Sequence, residues 1–439
     1  MNTSNRFKLF AMMVLEFFVW GAWYPLIFGY LPSLGFSPAE QSWILSCFPV
    51  AAIVGMFFSN QFADRNFAAE RFLAVSHLIA GLSILSLAWT HSFWPFFLAM
   101  FVHCLLYVPT ISIVNSIAFA HMKDAQKEYG IVRMGGTIGW ILAAWPMTFI
   151  LVDWDKVNAA PAAGFVDWLG TVLASGLTGP ALQAGTRWVF IVAGIASLVL
   201  SVFSLTLPHT PPKPVAEGAN RLAWLKALRL LSTSFIVVLW LVTFVDSIVH
   251  NLYFNWTGTF LGTSAAAGGV GIPGNWIMPV MSIGQVAEIL TMAVLGVTLT
   301  RLGWRKTMIF GILGHAARFA VFAFLPQNQA AVILINLLHG IAYAFFFATV
   351  YIFVDAFFPT DVRASAQGLF NLMILGLGPL VANVLGPMFI SETFNRGGVV
   401  DFTSLFLVPC TAAIAAGLIL ALFFHPPARA QVQVEAQSG

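Results

Sequence analysis

Apolar residues gather in twelve long runs, at about 9–31, 41–62, 72–90, 93–120, 134–152, 187–207, 234–261, 275–299, 307–325, 329–357, 366–390 and 403–424. A helix needs roughly 20 apolar residues to cross a bilayer, and most of these runs supply them. Only helices or closed barrels satisfy their backbone in lipid. Strict alternation of apolar and polar positions is absent, which excludes a barrel of tilted strands. The pattern predicts an all-α membrane protein with twelve transmembrane helices.

One interruption, "PHTPPKPVAEGANRLAWLKALRLL", Pro208 to Leu231, divides the chain six plus six. Its prolines forbid a continuous helix at first. The later part reads as an amphipathic helix on the membrane surface, with Arg221, Lys226 and Arg229 on the polar side. The expected organisation is an N-terminal bundle over 1–207, a cytoplasmic linker over 208–233, and a C-terminal bundle with a short tail over 234–439. Composition agrees. The chain has 439 residues, 59% hydrophobic and 8% charged. A water-facing domain carries about one quarter charged residues, so most of this surface faces lipid. A dispersed net charge of +3 gives no footprint for nucleic acid. Cys47, Cys104 and Cys410 lie in apolar runs without CxxC spacing, so neither metal, cofactor nor disulfide is expected. The first run carries Glu16, is longer than a signal-peptide core and lacks a cleavage site, so it reads as a span.

Arginine and lysine fix the expected orientation. One set of alternate loops holds Arg65, Arg71, Lys123, Lys127, the Lys213–Arg229 group, Arg301, Arg305, Lys306 and Arg363. The other set holds little beyond Lys156 and Arg396. The rich set is expected in the cytoplasm, with both termini. Two of these loops repeat each other. "NQFADRNFAAER" (60–71) keeps Asp64 and Arg65, with Asn60 where a glycine is expected. "GVTLTRLGWRK" (296–306) keeps Gly296, Arg301, Gly303 and Arg305, with Thr300 in place of an acid. The pair resembles the loop motif of the major facilitator superfamily. That resemblance implies two six-helix bundles related by an axis along the membrane normal, with a substrate cavity between them near the midplane. The loop itself reads either as a charge latch or as a positive-inside anchor.

A carboxylate at mid-membrane costs about 2.5–3.5 kcal/mol on insertion scales, so embedded polar groups carry information. They are Glu16; His77; His103, Tyr107, Thr110 and Asn115; Arg133, Thr137 and Trp140; Asp246, His250, Asn251, Tyr253 and Asn255; Gln285 and Glu288; His315 and Arg318; His339 and Tyr343. Gln285 and Glu288 share a helix face at i,i+3. Together they offer acceptors, an amide donor and a titratable proton, which suits hydroxyls or a base edge. The competing reading is helix–helix glue. In "VDSIVHNLYFNW" (245–256), Asp246, His250 and Tyr253 form one stripe, and Asn251 and Asn255 an adjacent one. Tyr253, Phe254 and Trp256 either stack on a planar ligand or pack against lipid and core. Arg133 either binds a ligand or carboxylate, or snorkels to the interface. His77, His103 and His315 read as satisfied interior histidines, and Arg318 as a partner for a group in its own bundle.

Stretches spread along the chain resemble one family: "EFFVWGAW" (16–23), "YVPTISIVNSIAFA" (107–120), "RMGGTIGW" (133–140), "LPHTPP" (207–212), "WTGTFL" (256–261), "GQVAEI" (284–289), "ARFAVFAF" (317–324) and "VRASAQGLF" (362–370). They are similar to the nucleoside:proton symporters of the bacterial inner membrane. The resemblance implies nucleoside import by proton symport through alternating access. It implies nucleoside contacts from Arg133, Thr137, Trp140, Asn251, Gln285 and Glu288, with a second amide position falling on Phe254 beside Asn255. Trp140 or Tyr343 would stack on the base. Partners are then a nucleoside, protons and the bilayer; a monomer in the inner membrane is expected, and no enzyme motif is present. One departure stands out. The family's tenth helix often reads LHGxxYDFF, with an Asp tied to proton coupling. Here it reads "LHGIAYAFF" (338–346), and Ala344 holds the Asp position. Coupling then rests on Glu288, the leading proton carrier, or on Asp246 or Glu16; or it is lost; or the residue was substituted deliberately. Rival readings are a symporter or uniporter for another polyol, such as a sugar derivative, and a non-transporting sensor.

Overall fold

The computed structural model describes residues 3–55, 66–122, 125–212, 234–358 and 363–426. Among them, nine stretches are long and apolar enough to cross a membrane. One of the nine, Gly274–Phe324, is two helices, because Gly303 inside it has φ 71° and ψ 173°. Adding Pro38–Val54 and Ala125–Ala144 gives twelve helical segments in the expected order. They are α1 (Thr3–Ser33), α2 (Pro38–Val54), α3 (Ala69–Ser86), α4 (Phe93–Ala120), α5 (Ala125–Ala144) and α6 (Trp188–Ser204) in the first half. The second half has α7 (Ser234–Gly262), α8 (274–302), α9 (304–324), α10 (Gln329–Phe357), α11 (Ala366–Ser391) and α12 (Phe402–Phe423). A two-stranded hairpin, β1 (Asn395–Arg396) with β2 (Val399–Val400), turns α11 into α12.

Local chemistry sets the ends. Ser37 caps α2 in a reciprocal box: its hydroxyl accepts the Glu40 N–H at 3.3 Å, and Glu40 Oε2 accepts the Ser37 N–H at 2.8 Å. Pro38 fills the first turn, where a missing N–H costs nothing. Pro109 breaks α4 into two pieces. The sequence placed the fifth helix at 134–152. It runs instead over Ala125–Ala144, because hydropathy sees only the apolar part of a helix that begins in water, and Pro146 stops its far end. The break expected between 299 and 307 narrows to Gly303, where φ lies in the left-handed region that favours glycine. Asp64 and Arg65, and the amphipathic helix expected after Lys213, lie outside the described residues.

The halves pack alike. α1 lies along α5, and α3 along α6; in the second half α12 lies along the α8–α9 stretch, and so does α10. Gly340 of α10 lets that last pair approach closely, since a Cβ there would overlap the Gly284 carbonyl and the Glu288 N–H of α8. The halves meet towards the end that carries the α1–α2 turn. Tyr24 of α1 donates to Asn251 Oδ1 of α7 at 2.7 Å, and Asn383 Nδ2 of α11 donates to the Leu45 carbonyl of α2 at 2.9 Å. Asn251 Nδ2 joins them by donating to Asn383 Oδ1 at 2.8 Å. At the same end the 153–186 segment grips α8, with Gly274 N–H on the Leu177 carbonyl and Trp276 Nε1 on the Leu173 carbonyl, both 2.9 Å.

The first half closes around a buried polar knot. Glu16 Oε2 meets His77 Nε2 at 2.9 Å, Thr110 donates to Glu16 Oε1 at 2.8 Å, and Tyr107 donates to the Glu16 carbonyl at 2.7 Å. Ser197 of α6 takes His77 Nδ1 at 2.9 Å and donates to the His77 carbonyl at 3.0 Å. Glu16 and His77 have no exposed surface, and five side chains from α1, α3, α4 and α6 satisfy one another. Removing one partner of such a pair strands the other, at a cost of about 3–5 kcal/mol. Glu16→Ala is therefore expected to lower the melting temperature of the detergent-purified protein sharply, and an unchanged melting curve would contradict the knot.

Candidate functional site

Three sets of embedded groups separate in space, and they follow the chain's helical spacings. The first lies between the halves. Gln285 and Glu288 share one face of α8, Gln285 buried and Glu288 half-buried. Glu288 lies within electrostatic range of Arg133 on α5 and of Tyr343 on α10. Arg133, Thr137 and Trp140 recur at i,i+4 and i,i+7, so they line one face of α5, and all three are half-buried. The Arg133 guanidinium lies 4.5 Å from the centre of the Phe17 ring, a cation–π contact that leaves its N–H fork available. Gln285 Oε1 is buried with no hydrogen-bond partner among the described residues. Such an acceptor costs about 1–3 kcal/mol when left unmade, so it marks a place for a donor.

Aromatic rings border this space from both halves. Trp140 meets Trp20 edge-on at 5.0 Å and Phe254 at 6.1 Å between centroids. Tyr24 meets Phe254 at 5.3 Å, and Trp20 stacks on Phe48 at 4.7 Å. Edge-on and offset contacts of this kind hold rings in place while leaving faces free for a planar guest.

The second set is the seal between the halves. Asn251 was expected to face a ligand, yet all its polar atoms are engaged: Oδ1 by Tyr24, and Nδ2 by Asn383 and by Asn255 Oδ1 at 3.1 Å. Asn255 also donates to the Ala382 carbonyl at 3.3 Å. In this arrangement Asn251 joins the halves, whereas Asn255 ties α7 to α11 within the second half. Tyr24 and Asn383 were not singled out from the sequence, although Asn383, a lone amide in "GPLVANVLGP", met the same criterion as the residues that were.

The third set sits inside the second bundle. Tyr253 turns away from the space between the halves: it is fully buried, its hydroxyl donates to Asn336 Oδ1 at 2.9 Å, and the Arg318 guanidinium lies 4.0 Å above its ring. Its place on the Asp246 stripe, opposite Phe254, dictates this. Asp246 is fully buried, with His315 Nε2 3.7 Å from Oδ2. Ala344, fully buried, lies in a π-helical turn of α10 over Tyr343–Ala348. Glu16 belongs to the knot of the first bundle. In the loop motif, Gly303 supplies the turn and Arg301 is exposed, whereas Gly296 is exposed with open space where a Cβ would stand, so packing does not demand its glycine.

The family model described as nucleoside H+ symporter matches residues 1–167 and 162–429. YegT of Escherichia coli (strain K12) is 30% identical over 392 residues, which cover 88% of this chain and 85% of YegT. The xanthosine permease of the same organism is 26% identical over 437 residues, 96% of either chain. The crystal structure of the nucleoside transporter NupG matches with a TM-score of 0.77 at 22% identity, covering 97% of this chain and 100% of that one. The fold is the all-α major facilitator fold, the protein is a multi-pass membrane transporter and not an enzyme, and the chain belongs to the nucleoside H+ symporter family.

Proposed function

We propose that this protein imports nucleosides by proton symport through a site between its halves, lined by Arg133, Thr137, Trp140, Phe254, Gln285, Glu288 and Tyr343. The observation that carries the reading is Gln285, with a buried oxygen unpartnered among the described residues, one helical turn from a carboxylate that lies within electrostatic range of an arginine of the other half. A ribose presents two neighbouring hydroxyls, each both donor and acceptor. One donates to Gln285 Oε1 and the other to Glu288, while the base lies among Trp140, Phe254 and Tyr343. Hydrogen bonds to a charged group are worth about 1.5–3 kcal/mol, and aromatic contacts about 0.5–1.5 kcal/mol each. The permease relative named for xanthosine supports a nucleoside as the guest.

The bundles extend over 1–207 and 234–439, joined by 208–233. The arginine- and lysine-rich loops lie in the cytoplasm with both termini, in the inner membrane, and the monomer transports. With that orientation the Tyr24–Asn251–Asn383 seal lies on the outer side, so the site opens inward here. Substrate and proton enter when the seal parts, and the halves rock to deliver both. A sugar alcohol also carries neighbouring hydroxyls that Gln285 and Glu288 could hold, and Ala344 favours a uniporter in that case; competition by arabinitol against uridine separates the readings.

Two outcomes follow. In proteoliposomes with an inward proton gradient, Glu288→Ala is expected to cut uridine or adenosine uptake by about 10- to 100-fold, and Gln285→Ala by a smaller factor, matching the loss of one charged and one neutral hydrogen bond. Uptake unchanged in both variants would refute the site. Tyr24→Phe leaves Asn251 Oδ1 without its donor, an expense of about 1–3 kcal/mol to the sealed state. Leu26 packs against Gly258 between the halves. A Leu26→Cys reporter, with the three native cysteines replaced by Ser, should label faster with an impermeant maleimide from outside when Tyr24→Phe is added. Equal labelling would show that this hydrogen bond does not hold the seal.

A further inference from the structure

The buried polar groups of the two bundles repeat each other. In the first, Glu16 lies on the first helix, His77 on the third, and His103 and Tyr107 four apart on the fourth. In the second, Asp246 lies on the first helix, His315 on the third, and His339 and Tyr343 four apart on the fourth. The repeat is one of position, and the two copies differ in satisfaction. The Glu16–His77 contact is 2.9 Å, and Thr110, three residues after Tyr107, completes it. The Asp246–His315 contact is 3.7 Å. The position three after Tyr343 is Phe346, which offers no hydroxyl. Both carboxylate oxygens of Asp246, and His315 Nε2, have no hydrogen-bond partner among the described residues, although neither residue has exposed surface.

The second difference is Arg318, three residues after His315, where the first bundle has Ala80. It donates to His339 Nδ1 at 2.6 Å and to His315 Nδ1 at 3.1 Å. Arg318 offers only donors, so both rings accept at Nδ1 and carry their proton on Nε2. His250 of α7 stacks on His339 at 4.9 Å, with Tyr253 beneath Arg318. From α12, Cys410 points its thiol at the Ala316 carbonyl, and α11 packs on α7 through Ser247 and the Ile374 carbonyl. Asp246 therefore lies beside His315 and within electrostatic range of Arg318, its counter-charge, in a cluster that Arg318 and the ring contacts extend to His250, His339 and Tyr253. His339 also packs against Gly284, the residue before Gln285. The cluster thus ends where the substrate site begins.

We propose that Asp246 is the proton-binding residue of the transport cycle, and that Arg318 and His339 pass its charge state to α8 and the Gln285–Glu288 site. The assignment rests on the symport reading above and deepens it. A proton from outer water forms an O–H bond at Asp246, which becomes a neutral acid; the bond breaks inward, and the proton returns to water. Ionised Asp246 attracts Arg318. Protonated Asp246 does not, which leaves Arg318 held by the two histidines and biases how α9 and α10 sit against α8. The carboxylate that the family's tenth helix places at position 344 is thereby replaced from α7. Glu16, with its contacts complete, holds the first bundle together.

The test uses the full chain in proteoliposomes with labelled uridine. One unit of inward pH gradient drives up to about tenfold accumulation for one proton per nucleoside. Wild type is expected to approach that ratio. Asp246→Asn is expected to equilibrate uridine without accumulating it, while keeping uridine counterflow, which needs no proton movement. Asp246→Glu should restore accumulation with a displaced pH profile. If Asp246→Asn does not reconstitute, His315→Gln takes its place and should shift the pH midpoint of accumulation. Asp246→Asn accumulating like wild type, or an unmoved midpoint in His315→Gln, overturns the assignment and leaves symport standing. Wild type that merely equilibrates overturns symport itself, and the assignment with it.

Discussion

A polar group in lipid must find a partner within the protein, because no water is at hand to take one. That constraint turns the apolar runs of this chain into helices, whose backbones satisfy themselves. It then sorts the few polar side chains that the runs contain. Many are answered: the Glu16 carboxylate by His77 and Thr110, Asn251 and Asn383 by partners in the opposite half, Tyr253 by Asn336. Others are not, Gln285 and Asp246 among them. Stability accounts for the first kind. An unmade bond costs stability, and at Gln285 and Asp246 a guest molecule and a proton supply the missing partner during the proposed cycle.

The same sorting separates the moving parts from the fixed ones. The knot around Glu16 ties four helices of one bundle to one another. The seal joins bundles through few hydrogen bonds, Tyr24 to Asn251 and Asn383 to Leu45 among them, each worth about 0.5–1.5 kcal/mol net. A sum of that size holds one state closed and still lets substrate binding reverse it. Glu288 and Arg133 lie within electrostatic range of each other from opposite bundles, so a guest between them feels both halves at once.

Much of this was legible in the sequence, for identifiable reasons. Apolar length alone gave the helices and their order, and the i,i+3 spacing of Gln285 and Glu288 put them on one face. What spacing cannot give is which neighbour a face meets. Asn251 and Tyr253 are two residues apart on α7, and the turn of the helix sends one to the seal and the other into the bundle. Tyr24 and Asn383 gained their roles only by meeting residues more than a hundred positions away. Helix ends were misjudged where polar residues continue a helix into water, as over 125–133, and where one left-handed glycine suffices for a turn, as at Gly303. The repeat of acid, histidine, histidine and tyrosine was present in the sequence, but its meaning lay in which copy is satisfied, and only distances show that.

The central claim is that a nucleoside and a proton cross together, despite Ala344. It is tested most directly by adding uridine to the outside of lightly buffered proteoliposomes holding the wild-type protein, with no gradient imposed, and following the external pH. Symport predicts a saturable rise in external pH that begins with the addition and is abolished by a protonophore. Uridine entry with no change in pH would contradict the account.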